Sequence, residues 1–303
     1  MAGEIVSQNA LMAIPKLVSA TVLPAVVGSL VMGNLVNRDY ENAFAQAGDV
    51  INVPIGPNLV ANNIAETGSV TNQNKSLGNA AIALTRHYEA SFAIPDVTQV
   101  FTRPDLVATY YDAAVKAVAE QVETDILNSY AQLTFNTAAG TANTALTESA
   151  VDTAETTLFA AKLPINDPKF LVVSATAYGQ LRQIGRFTEL QTAALGLNGP
   201  NPILTGQILQ VKGFNVLRSQ FVAKVSTTTY NLGFHRNALA LVIRRLPLVP
   251  AGMGAIQTYE EFGNFGMRFT MSYIPGQLEA QFTVDILYGT GTLRNNFGIQ
   301  VLS

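Results

Sequence analysis

Cysteine is absent from the 303 residues, and histidine occurs only twice. The first absence removes disulfide frameworks, thiolate nucleophiles and thiolate-bound zinc or iron–sulfur centres. The second leaves little material for general acid–base chemistry. Charge is the third scarcity: Asp, Glu, Lys and Arg make up 13% of the chain, against about 25% in an ordinary soluble domain. A monomer of this length needs charged side chains over its water-facing surface, so much of this surface is expected to face other protein. A Thr/Asn/Gln-rich surface on a monomer is the plainer alternative. A net charge of −3 disfavours a dedicated nucleic-acid binder but leaves room for a local basic patch. The length suits one large core or two modest ones.

A charge-poor chain can also be a membrane protein. Leu17 to Asn37 is uncharged and long enough to span a bilayer. Pro24, Gly28, Gly33 and Asn34 interrupt it, and Pro15 stands just before it. A signal peptide would need a basic start, yet Glu4 is the only charge ahead of Lys16. The segment therefore reads as an apolar arm or short helices lying on protein, and no membrane partner is expected.

Residues 1–47 are broken by Pro and Gly and cannot form a compact core alone, so they should lie across something larger. Val50, Ile51, Val53 and Ile55 mark a short strand, residues 61–79 are polar, and Ala81 to Pro95 reads as one returning strand. Two strands with a long polar middle make an extended hairpin, too poor in apolar surface to stand alone and expected to lie on a neighbour. The longest element is a helix over Thr102 to Leu133, with Thr102 as N-cap and Pro104 in the first turn. Leu106, Tyr110, Ala113, Ala117, Val118, Val122, Ile126, Tyr130 and Leu133 recur at spacings of three and four. Such a helix would be roughly 45 Å long, a strut rather than a typical globular helix. Asp112, Glu120 and Glu123 are assigned to its solvated face. From 149 to 245 helix and strand alternate, which indicates a compact α/β unit. From Gly252 to Leu302 the pattern is strand-rich, and no tandem repeat is present.

Motifs that carry reactions are missing. His87 and His235 sit in or beside strands without metal-ligand spacing, and there is no GxSxG elbow or GxxxxGK[ST] phosphate loop. Gly252-Met253-Gly254 and Gly289-Thr290-Gly291 lack the third glycine of a dinucleotide fingerprint and are assigned to turns and bulges. Arg236, Arg244 and Arg245 cluster in sequence, but a strand would point the last two to opposite faces. No aromatic platform interleaves with them, which disfavours sequence-specific nucleic-acid reading. The residues Phe234-His235-Arg236-Asn237 read as a polar corner after a buried strand, with His235 holding it by hydrogen bonds.

The order of these segments resembles a known family. NLVNRDYE leads into GDVINVPI, a long polar hairpin and YEASFAIPDV; then come AEQVETDILNSY, LPINDPKFLVVSATAYGQLR, GFHRNALALVIRRLP and DILYGTGTLRNNFGIQVL. This series is similar to tailed-phage major capsid proteins of the Hong Kong 97-type fold, closest to the coat-protein (gene 5-like) branch, over nearly the whole chain. The resemblance implies an α+β fold with an N-terminal arm (1–47), an extended loop (48–95), a peripheral domain (96–147 and 246–303, with a spine helix at about 103–134) and an α/β axial domain (148–245). A long scaffolding-like segment before the arm is not expected, and 211–230 leaves no room for a large inserted domain.

By the same resemblance the chain would be a non-enzymatic major capsid protein of the virion, assembled in the host cytoplasm. Its copies would form hexamers and pentamers of an icosahedral shell enclosing double-stranded DNA without sequence-specific binding. Scaffolding, portal and cement proteins are further implied partners, and no cofactor or metal is called for. Lys75, Arg38, Asp39, Glu66 and Arg186 are the candidate subunit contacts, and His235, Arg236 and Asn237 the structural corner. Some capsids of this fold cross-link a loop lysine to a neighbour's asparagine, for which Lys75 with Asn295 or Asn296 would serve. An encapsulin-like compartment is the alternative within the same fold, and a small hydrolase using His235 is a distant third.

Overall fold

The computed structural model describes residues 30–40, 50–57, 59–64, 66, 68–96, 105–164, 167–185, 208, 210–250, 254–262 and 265–303. In chain order these hold the short helix α1 (Met32–Leu35) and strands β1 (Val50–Ile55), β2 (Gly78–Ala83) and β3 (Arg86–Pro95). The helices α2 (Asp105–Leu127) and α3 (Glu148–Ala160), strand β4 (Lys169–Val173) and helix α4 (Ala175–Gln183) follow. Next are β5 (Gln210–Val211), β6 (Phe214–Arg218), β7 (Lys224–Val225), β8 (Thr228–His235) and β9 (Leu239–Arg244). The chain ends with β10 (Ala255–Phe262), β11 (Phe265–Ile274), β12 (Glu279–Thr292) and β13 (Gly298–Leu302).

Two sheets carry the molecule. One is antiparallel in the order β10-β11-β12-β3, with β9 pairing the second half of β12 beyond the stretch that β11 covers. Period-two alternation on β12 sends Phe282, Val284, Ile286 and Tyr288 inward. There α2 packs across β12 and β3. Phe92 stacks on Phe282 at 5.1 Å, and Tyr111 meets both edge-on at 5.3 and 5.4 Å. Such pairs add about 1 kcal/mol each beyond their buried area.

The second sheet runs β13-β8-β4-β6-β5. Its centre is β4, whose run Leu171-Val172-Val173 is buried on both faces, as a central strand requires. Among the described strand pairs of this sheet only β4–β6 is parallel, and α4 lies in the crossover between them. Ser174 caps α4 by accepting from the Ala177 amide at 3.1 Å, and Thr147 caps α3 in the same way through Ala150. Asn231, fully buried on β8, ties this sheet together. Its Oδ1 accepts from the Ser174 amide at 2.9 Å, while Nδ2 donates to the Val301 carbonyl at 3.0 Å. Asn231→Ala leaves the Ser174 amide without its acceptor and is expected to cost about 2 kcal/mol in chemical denaturation. A change below 0.5 kcal/mol would contradict this role.

Three expectations need correcting. The returning strand expected over 81–95 is two strands: β2 pairs with β1, whereas β3 leaves the hairpin and pairs with β12. The expected segment boundaries also divide the sheets differently from the structure. Strand β9 belongs with the antiparallel sheet rather than with 148–245, and β13 joins β8 rather than the strands of 246–303. Alternation reveals which side of a strand is apolar but not which distant strand it will meet. Finally, the α-helical part of the spine ends at Leu127 and tightens into a 3-10 turn over Asn128–Gln132. Its described length is 23 residues, about 34 Å. Ser129 bonds back to the Asp125 carbonyl at 3.3 Å, a competition that weakens helix continuation. The expected cap at Thr102 lies outside the described residues.

Candidate assembly interface

The hairpin formed by β1 and β2 stands on a small core of its own. Ile51, Val53, Ala80 and Ile82 point inward against Ala240 and Val242 of β9 and Leu293. Glycines of β12 make this seat. A Cβ at Gly289 would lie 2.5 Å from the Ala83 carbonyl oxygen, and one at Gly291 would lie 3.1 Å from Ile82. Gly289 and Gly291 therefore sit inside a strand, the first at a close approach of backbone and the second against the Ile82 side chain, not at the turns and bulges expected from the sequence.

Beyond this base the described residues between 56 and 77 have no strand partner. Leu59, Val60, Ile64, Val70 and Leu77 are each between 50% and 74% exposed. The loop carries local rungs such as the Val60 amide on Gln73 Oε1 at 3.0 Å, and these five side chains stay largely uncovered by their own chain. Lys75 and Glu66 lie exposed along it. Of the other candidate acceptors, Asn295 takes a 3.4 Å bond from the Phe135 amide, and the Asn296 carbonyl accepts from Asn136.

The arm and the corner meet. His235 is 3% exposed and stands where β8 ends and the chain passes to the other sheet. Its Nδ1 accepts from the Asn237 amide at 3.2 Å, which leaves the proton on Nε2 to donate to Asp167 at 3.3 Å. Burial lowers its pKa, against the opposing pull of Asp167, so the ring is neutral at neutral pH. The ring lies edge-on to Phe297, at the point where β12 passes back to β13. Leu293 and Arg294 both donate to the Ala238 carbonyl, so the two crossings between the sheets are bound to each other. Against this corner lies the arm: Asp39 pairs with Arg236 at 2.8 Å, and Asn37 Nδ2 donates to Asn237 Oδ1 at 2.9 Å. Asn37 also exchanges backbone bonds with Leu239 and Leu241. Arg38 is half-buried between them, and Arg186 lies outside the described residues.

Buried carboxylates were the residues that sequence reasoning missed. Glu123, expected on a solvated face, is 2% exposed. Its position was legible in one respect: 119, 122, 123 and 126 share the apolar stripe of α2. Asp125 faces the sheet, where it pairs with Arg86 and accepts from Tyr288 at 2.7 Å and Gln121 at 3.0 Å. Asp285 takes both arms of Arg268 at 3.0 and 2.6 Å, and His87 approaches it at 2.8 Å. Arg245 lies over the Tyr259 ring at 4.8 Å, so a distant aromatic supplies what its neighbours in sequence do not. Among the described residues no cluster of His, Asp and Glu suits a metal ion, and no helix is long and apolar enough to cross a membrane.

Known structures share this architecture. A structure from Mycobacterium phage Che8 superposes with a TM-score of 0.67 at 20% identity, over 90% of this chain and 91% of that one. The capsid of cyanophage P-SCSP1u gives 0.64 at 15% identity, over 90% and 88%. The SrpI encapsulin complex of Synechococcus elongatus PCC 7942 gives 0.53 at 13%, over 93% and 88%. At such identities these likenesses establish the fold, that of Hong Kong 97-type capsids. No curated protein sequence matches the chain. A family model described as phage capsid protein does match, over residues 80–284, well beyond half of the length: the chain belongs to the phage capsid protein family.

Proposed function

We propose that this chain is the shell-forming subunit of a tailed phage, many copies of which close into an icosahedral shell around double-stranded DNA. The observation that carries the reading is the hairpin, whose five apolar side chains from Leu59 to Leu77 are left uncovered by their own subunit. A neighbouring copy is the natural cover, since a shell presents the same surface at every repeat. Charge poverty and a net charge of −3 suit a wall that is buried by its neighbours and encloses DNA without gripping it. Residues 1–47 serve as the arm, 48–83 as the loop, the antiparallel sheet with α2 as the peripheral domain, and the sheet around β4 as the axial domain. Hexamers and pentamers, scaffolding, portal and cement partners, and assembly in the host cytoplasm complete the proposal.

Lys75, Glu66, Arg38 and Arg186 are proposed contacts between subunits, whereas Asp39 acts within its own subunit on Arg236. Negative-stain electron microscopy of the purified protein, with a scaffold if one is required, tests the function. Closed shells are expected; monomers that never close would overturn it. Deleting residues 61–79 is expected to leave a soluble subunit and reduce shells at least tenfold, about 1.4 kcal/mol at a single contact. Unchanged shells from that deletion would remove the hairpin's role as a clasp. The encapsulin likeness supports a second reading, a compartment holding protein cargo, which nuclease-protected DNA inside native particles would exclude.

A further inference from the structure

The buried carboxylate of Glu123 joins the arm and the second sheet to the spine helix. Oε2 accepts from the backbone amides of Val31 and Met32 at 2.8 and 3.2 Å, and Oε1 accepts from the Ser219 hydroxyl at 2.8 Å. The first two amides belong to the arm at the start of α1, where Val31 offers no capping side chain of its own. Ser219 follows β6, and its amide bonds back to the Val173 carbonyl of β4. One side chain of the spine thus fastens the arm on one side and the second sheet on the other.

Among the described residues no cation pairs with Glu123. The charged groups of the surrounding elements make no pair with Glu123. On α2, Asp125 faces Arg86 and Glu120 faces Lys116. On the arm, Asp39 holds Arg236, with Arg38 beside it. At the end of β6, Arg218 lies over the Tyr178 ring, and on α4 Arg182 stands in the last turn. Among the described residues a carboxylate here has three donors and no countercharge, and Glu123 is 2% exposed.

Such a site accommodates the neutral acid without losing a bond. A hydroxyl both donates and accepts, so Ser219, whose oxygen already accepts from the Phe221 amide at 3.3 Å, can turn to accept a hydrogen bond from protonated Oε1 through its second lone pair, while Oε2 continues to accept from the two arm amides. We propose that Glu123 is a proton-operated latch for the N-terminal arm: as a carboxylic acid donating to Ser219 it holds residues 31 and 32 on the spine helix, and loss of its proton loosens that hold. Burial, the dominant influence, raises its pKa against the opposing effects of Ser219, Met32 and Val31. A lifted arm would admit water and return the carboxyl to its ordinary range. The closed form therefore holds the proton more tightly than the open one. Closing is favoured as pH falls, and that advantage is lost as pH rises through the closed-form pKa.

Hydrogen exchange measured by mass spectrometry on the full-length chain reads the latch directly. Protection of the segment 30–37, corrected for intrinsic rates, is expected to be higher at about pH 5 than at about pH 8. It should change about tenfold for each unit by which the closed-form pKa exceeds that of a free carboxyl. Glu123→Gln, whose amide can donate to Ser219 and accept from the arm, should keep the segment protected at both pH values. Glu123→Ala should leave it open at both, and Ser219→Ala should reduce protection chiefly on the acid side. A flat profile in the parent protein, protection that rises with pH, or Glu123→Gln behaving like Glu123→Ala would overturn the latch. The parent profile needs no variant to fold, and it reads the arm whether or not the subunits build a shell.

Discussion

Gly289→Ala is expected to give a folded subunit whose shells fail to close. The added Cβ would stand 2.5 Å from the Ala83 carbonyl oxygen and 3.1 Å from the Ala83 carbonyl carbon. Both are backbone atoms, so no rotamer change relieves the contact. Restoring ordinary contact distance requires the base of the hairpin to retreat by about 1 Å. Overpacking of this kind costs about 1–3 kcal/mol within a subunit, which a core built on two sheets can absorb. The hairpin cannot absorb it in the same way. Residues 56–77 extend from that base, so a small rotation at Ala83 becomes a larger displacement of Leu59, Val70 and Leu77. A contact weakened by 1.4 kcal/mol loses tenfold in its equilibrium constant, and in a shell that loss recurs at every subunit. Gly276→Ala is the control, because nothing lies within 4 Å of a Cβ built there. Sedimentation or electron microscopy should show shells for the control and few or none for Gly289→Ala. Equal shell yields would mean that the hairpin angle does not govern assembly.

Asp125→Ala should produce a large loss of stability through polar contacts of the spine. The side chain is 7% exposed and pairs with Arg86, which is 33% exposed. It also accepts the hydroxyl of Tyr288, a fully buried residue of the sheet centre. Removing it leaves the guanidinium short of its partner and the phenol without an acceptor. Breaking a buried ion pair costs about 3–5 kcal/mol, and the residual hydration of Arg86 places this one near about 3 kcal/mol. Asp125→Asn keeps an acceptor for Tyr288 and should lose clearly less. Chemical denaturation with both variants separates the charge from the hydrogen bond. A loss under 0.5 kcal/mol for Asp125→Ala would show that the spine is held to the sheet by its apolar stripe alone.

Much of the fold could be read locally because it rests on periodicity. Val118, Val122 and Ile126 of the expected stripe are buried and specify a helix with one apolar face. Tyr110, Ala113 and Ala117, expected on the same stripe, are exposed, and Tyr111, Ala114 and Val115 are buried in their place. Leu171-Val172-Val173 specifies a strand buried on both faces. Caps at Thr147 and Ser174 follow from side chains that satisfy the first free amides of a helix. The order of segments sufficed to indicate the family. Glu123 was misassigned because a carboxylate on an apolar stripe ordinarily turns to water. Only its three donors, from residues 31, 32 and 219, explain its burial.

By itself the sequence determined the composition of the surface, the helices and strands, and the absence of thiol chemistry, since each depends on residues close together in the chain. The tertiary structure alone decided that β3 leaves the hairpin, that β9 and β13 exchange sheets at the corner of His235, and that Gly289 is a seat for Ala83. Each of these joins residues far apart in sequence, where the partner is selected by register and shape across the sheet rather than by any property of the segment alone.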